Sequence, residues 1–189
     1  LRVAAALDLR LPTDATEHVD GRELSAAHRA RVLDAVDGFN RALGSYARFI
    51  DLLAPLLRAS RNGATVLDIA SGHAGLPLAL AFHAPEALPP LRIIASDLCD
   101  DYLALGRARA AREGLAVEFR ALDALRLRDA FGPGELDAVT CTQSLHHFDA
   151  GAVANLLAEA LAVSRHVLFV DAVRAVSATL GAAALGAVA

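Results

Sequence analysis

From Thr65 onward, short runs of β-branched and aliphatic residues alternate with longer stretches of helical spacing, and no other feature of the chain restricts its fold as much. Strands separated by a dozen or more residues of helix do not close as tight hairpins. Their alternation with helices is the signature of βαβ units, so the chain is read as an α/β protein with a mainly parallel sheet. The expected strands are 65–69, 91–96, 116–121, 136–141 and 166–170, with helices over 76–83, 100–113 and 150–162. The first and last strands are almost wholly apolar, as expected when both faces of a sheet are covered. The stretch 85–90, bounded by prolines, is read as a loop.

Ahead of this part lies a helical segment. Leu24, Ala27, Val32, Leu33, Val36, Phe39, Leu43, Tyr46, Phe49, Ile50, Leu53 and Leu56 recur at steps of three and four, which is helix spacing and marks the expected buried stripe. Gly44-Ser45 is expected to split it into two helices, with Ser45 as N-cap of the second, and Arg61-Asn62-Gly63 to turn into the first strand. Residues 1–62 are thus read as a helical lid or cap segment and 63–189 as the ligand-binding domain. Tyr46 and Arg48 are read first as part of an ordinary amphipathic helix, with a place in a lid over the substrate as the alternative.

Charge and cysteine usage narrow the partners. With a net charge of −4 and a pI near 5.9 the chain has no basic field for a nucleic-acid backbone or an anionic membrane, so neither is expected as a partner. Every basic side chain other than histidine is arginine, which carries no site information. Cys99 and Cys141 form no CxxC pair and sit in apolar surroundings, reading as reduced, buried thiols of a cytoplasmic protein. No charged stretch followed by an apolar run opens the sequence, so no secretory signal is expected. The uncharged run 175–189 is shorter than the roughly 20 residues a membrane-spanning helix needs and reads as a buried or substrate-side helix.

The chemistry concentrates at strand ends. Thr65-Val-Leu-Asp-Ile-Ala-Ser-Gly-His-Ala-Gly75 is an apolar strand that ends in an acid and a turn of small residues, which lets backbone amides approach a ligand closely. Asp97 ends the second strand about 20 residues past Gly75, where a carboxylate can take both ribose hydroxyls. Asp123 ends the third, with Ala124 and Leu125 following. Thr142-Gln-Ser-Leu-His-His147 follows the fourth. All four termini fall on the carboxyl edge of one sheet, where open α/β folds bind ligands. Taken singly, Asp97 or Asp123 could as well cap the segment that follows it.

Asp68 with Ala70-Ser71-Gly72, then Asp97-Leu98, Asp123-Ala124, and Leu136-Asp137-Ala-Val139 with Leu145-His146-His147 together resemble the class I S-adenosylmethionine-dependent methyltransferases. The resemblance covers about 65–170 and implies a Rossmann-like three-layer sandwich with strand order 3-2-1-4-5. The cofactor it implies is S-adenosyl-L-methionine, with S-adenosyl-L-homocysteine as product. Asp68, Ala70, Ser71 and Gly72 would lie along its methionine part, and Asp97 would hold the ribose. Leu98 would pack on the adenine, Asp123 would bind its amine with Ala124 alongside, and Thr142 and Gln143 would lie near the sulfonium. Two departures stand out: Ala70 and Ala74 replace glycines and are expected to keep negative φ, and nothing after Asp171 reads as the family's two closing strands.

The expected acceptor is a small, apolar or aromatic molecule, with O-methylation favoured over N- or C-methylation. His147 or His146 is the candidate base; as neighbours after a strand they are not expected to converge on one point. His73 is expected to be exposed. No residue spacing suggests a metal site, and a homodimer is left open. Two rival readings also remain open: an NAD(P)-dependent oxidoreductase, and a non-catalytic methyltransferase-like interaction module.

Overall fold

The computed structural model describes residues 26–171 apart from Arg61, and gives no side-chain placement for 26–29 and 84–87. The apolar run 175–189 and the first 25 residues of the expected lid lie outside these. Two helices open the described chain, α1 (Ala26–Ala42) and α2 (Ser45–Leu57). Then strands and helices alternate: β1 (Ala64–Asp68), α3 (Gly75–Ala87), β2 (Leu91–Asp97), α4 (Asp100–Glu113), β3 (Glu118–Ala121), β4 (Leu136–Thr142), α5 (Ala150–Val163) and β5 (Ser164–Val170). Short 3-10 turns, Ala124–Asp129 and Leu145–His147, follow β3 and β4.

The five strands form one parallel sheet in the order β3-β2-β1-β4-β5, as expected for the Rossmann-like fold. Among the described residues β5 pairs with β4 alone, so it forms an edge of the sheet. Two apolar layers cover the faces. One joins Phe49, Leu53 and Leu57 of α2 to Val66, Leu76, Leu80 and Ile93. The other packs Leu67, Ile94 and Val139 against Leu156 and Ala160 of α5 and Phe131. β1, in the middle of the sheet, therefore contributes to both layers, which is why its sequence lacks polar alternation.

Several local expectations change. α3 runs to Ala87, so the loop begun at Pro85 shrinks to 88–90. Gly44, in the left-handed region at φ 66°, takes the cap position of α2 and no side chain caps it; Ser45 is the first helical residue. Cys99 is only half-buried, whereas Cys141 is fully buried and burial pushes its thiol pKa well up.

The largest correction concerns α1, whose predicted apolar stripe faces outward. Val36 (48% exposed), Phe39 and Leu43 (54%) are open, while Asp37 and Asn40, each 4% exposed, turn inward. Polar residues are buried only where partners satisfy them, and both find such partners next to the ligand loop.

Candidate functional site

The register of the sheet assembles the strand ends. Asp68 pairs with Ala95 and with Thr140, so Asp97 and Thr142 each lie two residues beyond the end of β1. The loop after β1 then folds back over β2: Gly72 N–H donates to Asp97 Oδ2 (2.8 Å), Cys99 N–H to Oδ1 (2.9 Å), and Ser71 N–H to the Ser96 carbonyl (2.9 Å). On the other side Ser144 Oγ donates to the Ala70 carbonyl (2.9 Å), which ties the β4 loop to the same turn. Asp68, Asp97 and the β4 terminus thus meet around one loop.

That loop takes an uncommon backbone. Ala70 (φ 49°), Gly72 (φ 54°) and Ala74 (φ 65°) all occupy the left-handed region, so the two alanines do not keep negative φ. Within the turn the N–H groups of Ser71, Gly72 and Ala74 go to the Ser96 carbonyl, Asp97 Oδ2 and the Ser71 carbonyl. Hydrogen bonds from Ser71 Oγ (2.8 Å) and Ser96 Oγ (3.0 Å) to the Asp68 carbonyl hold the start of the turn. A side chain without Cβ is required at Gly75, where an added carbon would sit 2.1 Å from Tyr46 Oη.

Asp68 is buried, and its Oδ1 accepts from Thr140 Oγ1 at 2.6 Å. Burial pushes its pKa up to about 7, against the opposing hydrogen bonds from Thr140 and Ser71. Asp123 caps the 3-10 turn after β3 by accepting from Leu125 N–H (2.9 Å), so the capping role weighed for it is realised. Ala124 is half-buried beside it. Leu98, directly after Asp97, is 78% exposed, a large apolar side chain standing open at the strand ends.

His73 is half-buried rather than exposed as expected, its side chain 12% accessible. Its Nε2 is 3.9 Å from Asp37 Oδ1 and has no hydrogen-bond partner. Burial lowers its pKa, with Asp37 and Asp34 acting in the opposite sense. Asp37 itself is the hub that explains why α1 turns its polar side in. It accepts from Tyr46 Oη (2.7 Å) and Arg109 Nη1 (2.7 Å), and pairs with Arg41. Burial and Asp37 together push the Tyr46 phenol pKa well up, so the phenol stays neutral. A cleft of about 430 Å³ opens beside this hub between α3 and α4, lined by Arg41, Tyr46, Gly75, Phe82 and Arg109 among others. None of the strand-end acids lines it.

At the end of β4 Thr142 is half-buried, and Gln143, just beyond it, sits at φ 58°. The Gln143 amide makes a reciprocal pair with Asn40 of α1, Asn40 Nδ2 donating to Oε1 (2.7 Å) and Gln143 Nε2 to Asn40 Oδ1 (2.9 Å). His146 and His147 are both exposed, with ring centroids 4.3 Å apart, so they touch each other although they follow one another in the chain. His146 Nδ1 lies 3.0 Å from both carboxylate oxygens of Asp171. Sequence reasoning missed Asp37, Asn40, Arg109 and Asp171. The available signal was two polar residues, Asp37 and Asn40, three apart on one helix.

A family model described as a methyltransferase domain matches residues 66–166, more than half of the chain. The chain belongs to the class I S-adenosylmethionine-dependent methyltransferase family. The match sets aside the nicotinamide oxidoreductase reading. Among curated relatives, the Mycobacterium tuberculosis protein Rv1403c, itself uncharacterized, is 37% identical over 108 residues, covering 53% of this chain and 36% of that one. A second, Rv1405c, is 31% identical over 127 residues, 64% of this chain and 40% of the relative. The matched stretch therefore spans well under half of these relatives' length.

Solved structures with the same fold include a proposed S-adenosyl-L-methionine-dependent methyltransferase of Methanococcus maripaludis (TM-score 0.58, 15% identity, 85% of this chain and 68% of that chain). The [4+2]-cyclase SpnF also matches (TM-score 0.50, 24% identity, 62% and 40%). A cyclase on the same scaffold is a reminder that the acceptor chemistry must be argued from the site. Among the described residues no helix is long and apolar enough to cross a membrane.

Proposed function

We propose that this methyltransferase domain binds S-adenosyl-L-methionine at the carboxyl ends of β1, β2 and β3 and moves its methyl group to a small, apolar or aromatic acceptor, preferentially at oxygen. The observation that carries the reading is the bond from Gly72 N–H to Asp97 Oδ2 (2.8 Å), which brings the left-handed loop and the second-strand acid to one place. The residues present suit the cofactor. Asp97 is at the place of a ribose-binding acid, open Leu98 offers an apolar surface for adenine, and Asp123 with Ala124 stands at the end of the next strand. Asp68, Ala70, Ser71 and Gly72 would flank the methionine part, and Thr142 and Gln143 the reacting end.

The bound cofactor supplies an electrophilic methyl group, and the transfer then depends mainly on alignment, which can account for roughly 7–11 kcal/mol of a barrier. The chain's residues orient the partners and exclude water. For an acidic acceptor such as a phenol, His146 or His147 at the β4 edge would take the proton. Residues 1–62, whose α2 already closes one face of the sheet, would cap the acceptor, with 63–189 as the cofactor domain. Such an acceptor, rather than a nucleic acid, also agrees with the chain's net charge of −4.

Calorimetry with S-adenosylhomocysteine, with NADH as control, tests the cofactor reading. Micromolar or tighter binding of the first alone is expected, and its weakening by Asp97→Ala. A folded protein that binds no adenosyl compound would instead favour a non-catalytic module. Intact-mass screening of small phenols and amines with labelled cofactor then identifies the acceptor class.

A further inference from the structure

A reciprocal pair of amides has no direction of its own. If Asn40 and Gln143 both turned over, each N–H would again meet an oxygen, so something outside the pair must fix which way it points. α1 and α2 supply it. Asp37, ion-paired to Arg109 and Arg41, only accepts, and the Tyr46 hydroxyl directs its one proton to Asp37 Oδ1 (2.7 Å). The Tyr46 oxygen is left to accept, and Asn40 acts on the phenol as a donor, opposing the rise in its pKa. Asn40 therefore turns its NH₂ group toward both Tyr46 and Gln143 Oε1, and its oxygen toward Gln143 Nε2. Asp37, Tyr46, Asn40 and Gln143 form a line along which one buried acid sets each donor and acceptor in turn.

Gln143 is the far end of that line, just past β4. It occupies the left-handed region at φ 58°, uncommon for a glutamine, and its main-chain N–H donates to the Val170 carbonyl (2.8 Å), which holds the backbone there. Asn40, 4% exposed, meets its side chain from α1.

We propose that Asn40 is a positioning residue: directed by Asp37 through Tyr46, it fixes the Gln143 amide so that the oxygen edge, and not the nitrogen edge, is offered to the methyl donor. The proposal rests on the methyl-transfer reading above and deepens it. Each amide of the pair uses one N–H and one lone pair, which leaves a second lone pair on Gln143 Oε1. A sulfonium is positive and polarises the hydrogens of its methyl group, so an amide oxygen attracts it as a weak C–H···O acceptor. Turned over, the same amide would set an N–H against that charge. An amide fixed in advance needs no reorganisation when the charged ligand arrives.

The test does not need the acceptor. Gln143 is the single glutamine of the chain, so ¹⁵N-glutamine labelling reports its amide alone. Calorimetry with S-adenosyl-L-methionine and S-adenosyl-L-homocysteine reads the reacting end, because the two differ only in the methyl group and its charge. The unaltered chain is expected to give one sharp pair of side-chain amide proton signals. Tyr46→Phe keeps the ring and removes the hydroxyl that directs Asn40. It should shift or broaden the Gln143 signals and lower the ratio of S-adenosyl-L-methionine to S-adenosyl-L-homocysteine affinity by about threefold, the worth of one weak C–H···O contact. A general loosening of the fold would weaken both ligands alike and leave the ratio as it was. Asn40→Ala, which frees Gln143 outright, should lower the ratio at least as far and serves if the Tyr46→Phe chain does not fold. A ratio equal in the unaltered and altered chains would overturn the proposal. If unaltered protein binds neither compound, the cofactor reading falls, and Gln143 signals that still answer to Tyr46→Phe would then show the line of bonds to be right without that ligand.

Discussion

The ends of β1 to β3 and the ends of β4 and β5 share one sheet edge but are built by opposite means. On the first side the contacts come from strand ends and the turns that directly follow them: Gly72 on Asp97, Leu125 on Asp123, Ser71 on the carbonyl of Asp68. On the second, side chains from distant elements converge. Asn40 of α1 meets Gln143 across 103 positions, and Asp171 reaches His146 from the neighbouring strand. The difference teaches where adaptability can reside. A site made by strand-end turns needs only the sheet register, whereas a site made by long-range polar pairs can change with α1 and the β4 loop while the cofactor side stays as it is.

The sharpest way to break this comparison is to loosen α1, the helix that brings Asn40 to Gln143, at its buried acid Asp37. Asp37→Ala deprives the buried Tyr46 hydroxyl of its acceptor and leaves Arg109 with Glu113 as its remaining acid partner. Loss of one member of a buried pair costs several kcal/mol, and about 3 kcal/mol is expected here because Arg41 and part of Arg109 reach solvent. Chemical denaturation should show that loss. A change under about 0.5 kcal/mol would mean that the cluster is incidental and α1 is held by apolar contacts alone.

Much of the fold and half of the site were legible in the sequence, for a physical reason. The alternation of apolar runs and helical spacing reports the sheet directly, and an acid at a strand end needs no knowledge of any distant residue to be placed. Asp68, Asp97 and Asp123 were found that way. Asp37 and Asn40 were not, because the periodicity of α1 is satisfied equally well by either face. Only the presence of Arg109, Tyr46 and Gln143 decides that the polar side turns in. Ala70 and Ala74 misled for the converse reason: their residue type argues for negative φ, yet the bonds at Ser71, Gly72 and Ser144 over-determine the turn.

The cofactor side has its own signature in pH. Asp68 titrates near 7 in the folded chain against an ordinary 3.8, so between those values the folded state holds a proton that the unfolded state has released. Stability is then complete at the acid end and falls as pH rises through about 7. At 1.36 kcal/mol per unit the loss between pH 5 and 7 is roughly 2 kcal/mol. Asp68→Asn keeps an acceptor for Thr140 and abolishes the titration. Urea unfolding of both chains at pH 5, 6, 7 and 8 should give curves that diverge across this window, and parallel curves would show that Asp68 is ionised throughout.

A smaller effect couples the loop after β1 to α1 and α2 where they touch. Gly75→Ala sets a carbon 2.1 Å from Tyr46 Oη, 2.9 Å from its Cζ and 3.2 Å from Asp37 Oδ1, so the phenol must move. Overpacking of this kind costs about 1–2 kcal/mol. Tyr46→Phe removes the closest atom and should lessen the cost of Gly75→Ala, a coupling that a double-mutant cycle measures. Strictly additive losses would place the strain elsewhere in the loop.

The smallest expected effect separates the two alanines of the loop. Each sits in the left-handed region, which costs a non-glycine residue on the order of 1–2 kcal/mol, while glycine gives back about 0.4–1 kcal/mol through its freer unfolded chain. On backbone grounds alone both changes to glycine stabilise by roughly 0.5 kcal/mol. Their surroundings differ, however: Ala70 is half-buried, whereas Ala74 is wholly buried in the layer with Leu78, Ala95 and Ala110. Removing that second methyl forfeits about 0.8 kcal/mol of burial. Ala70→Gly should therefore raise the urea midpoint and Ala74→Gly should leave it level or slightly lower, and equal shifts for the two would show that backbone strain outweighs packing in this turn.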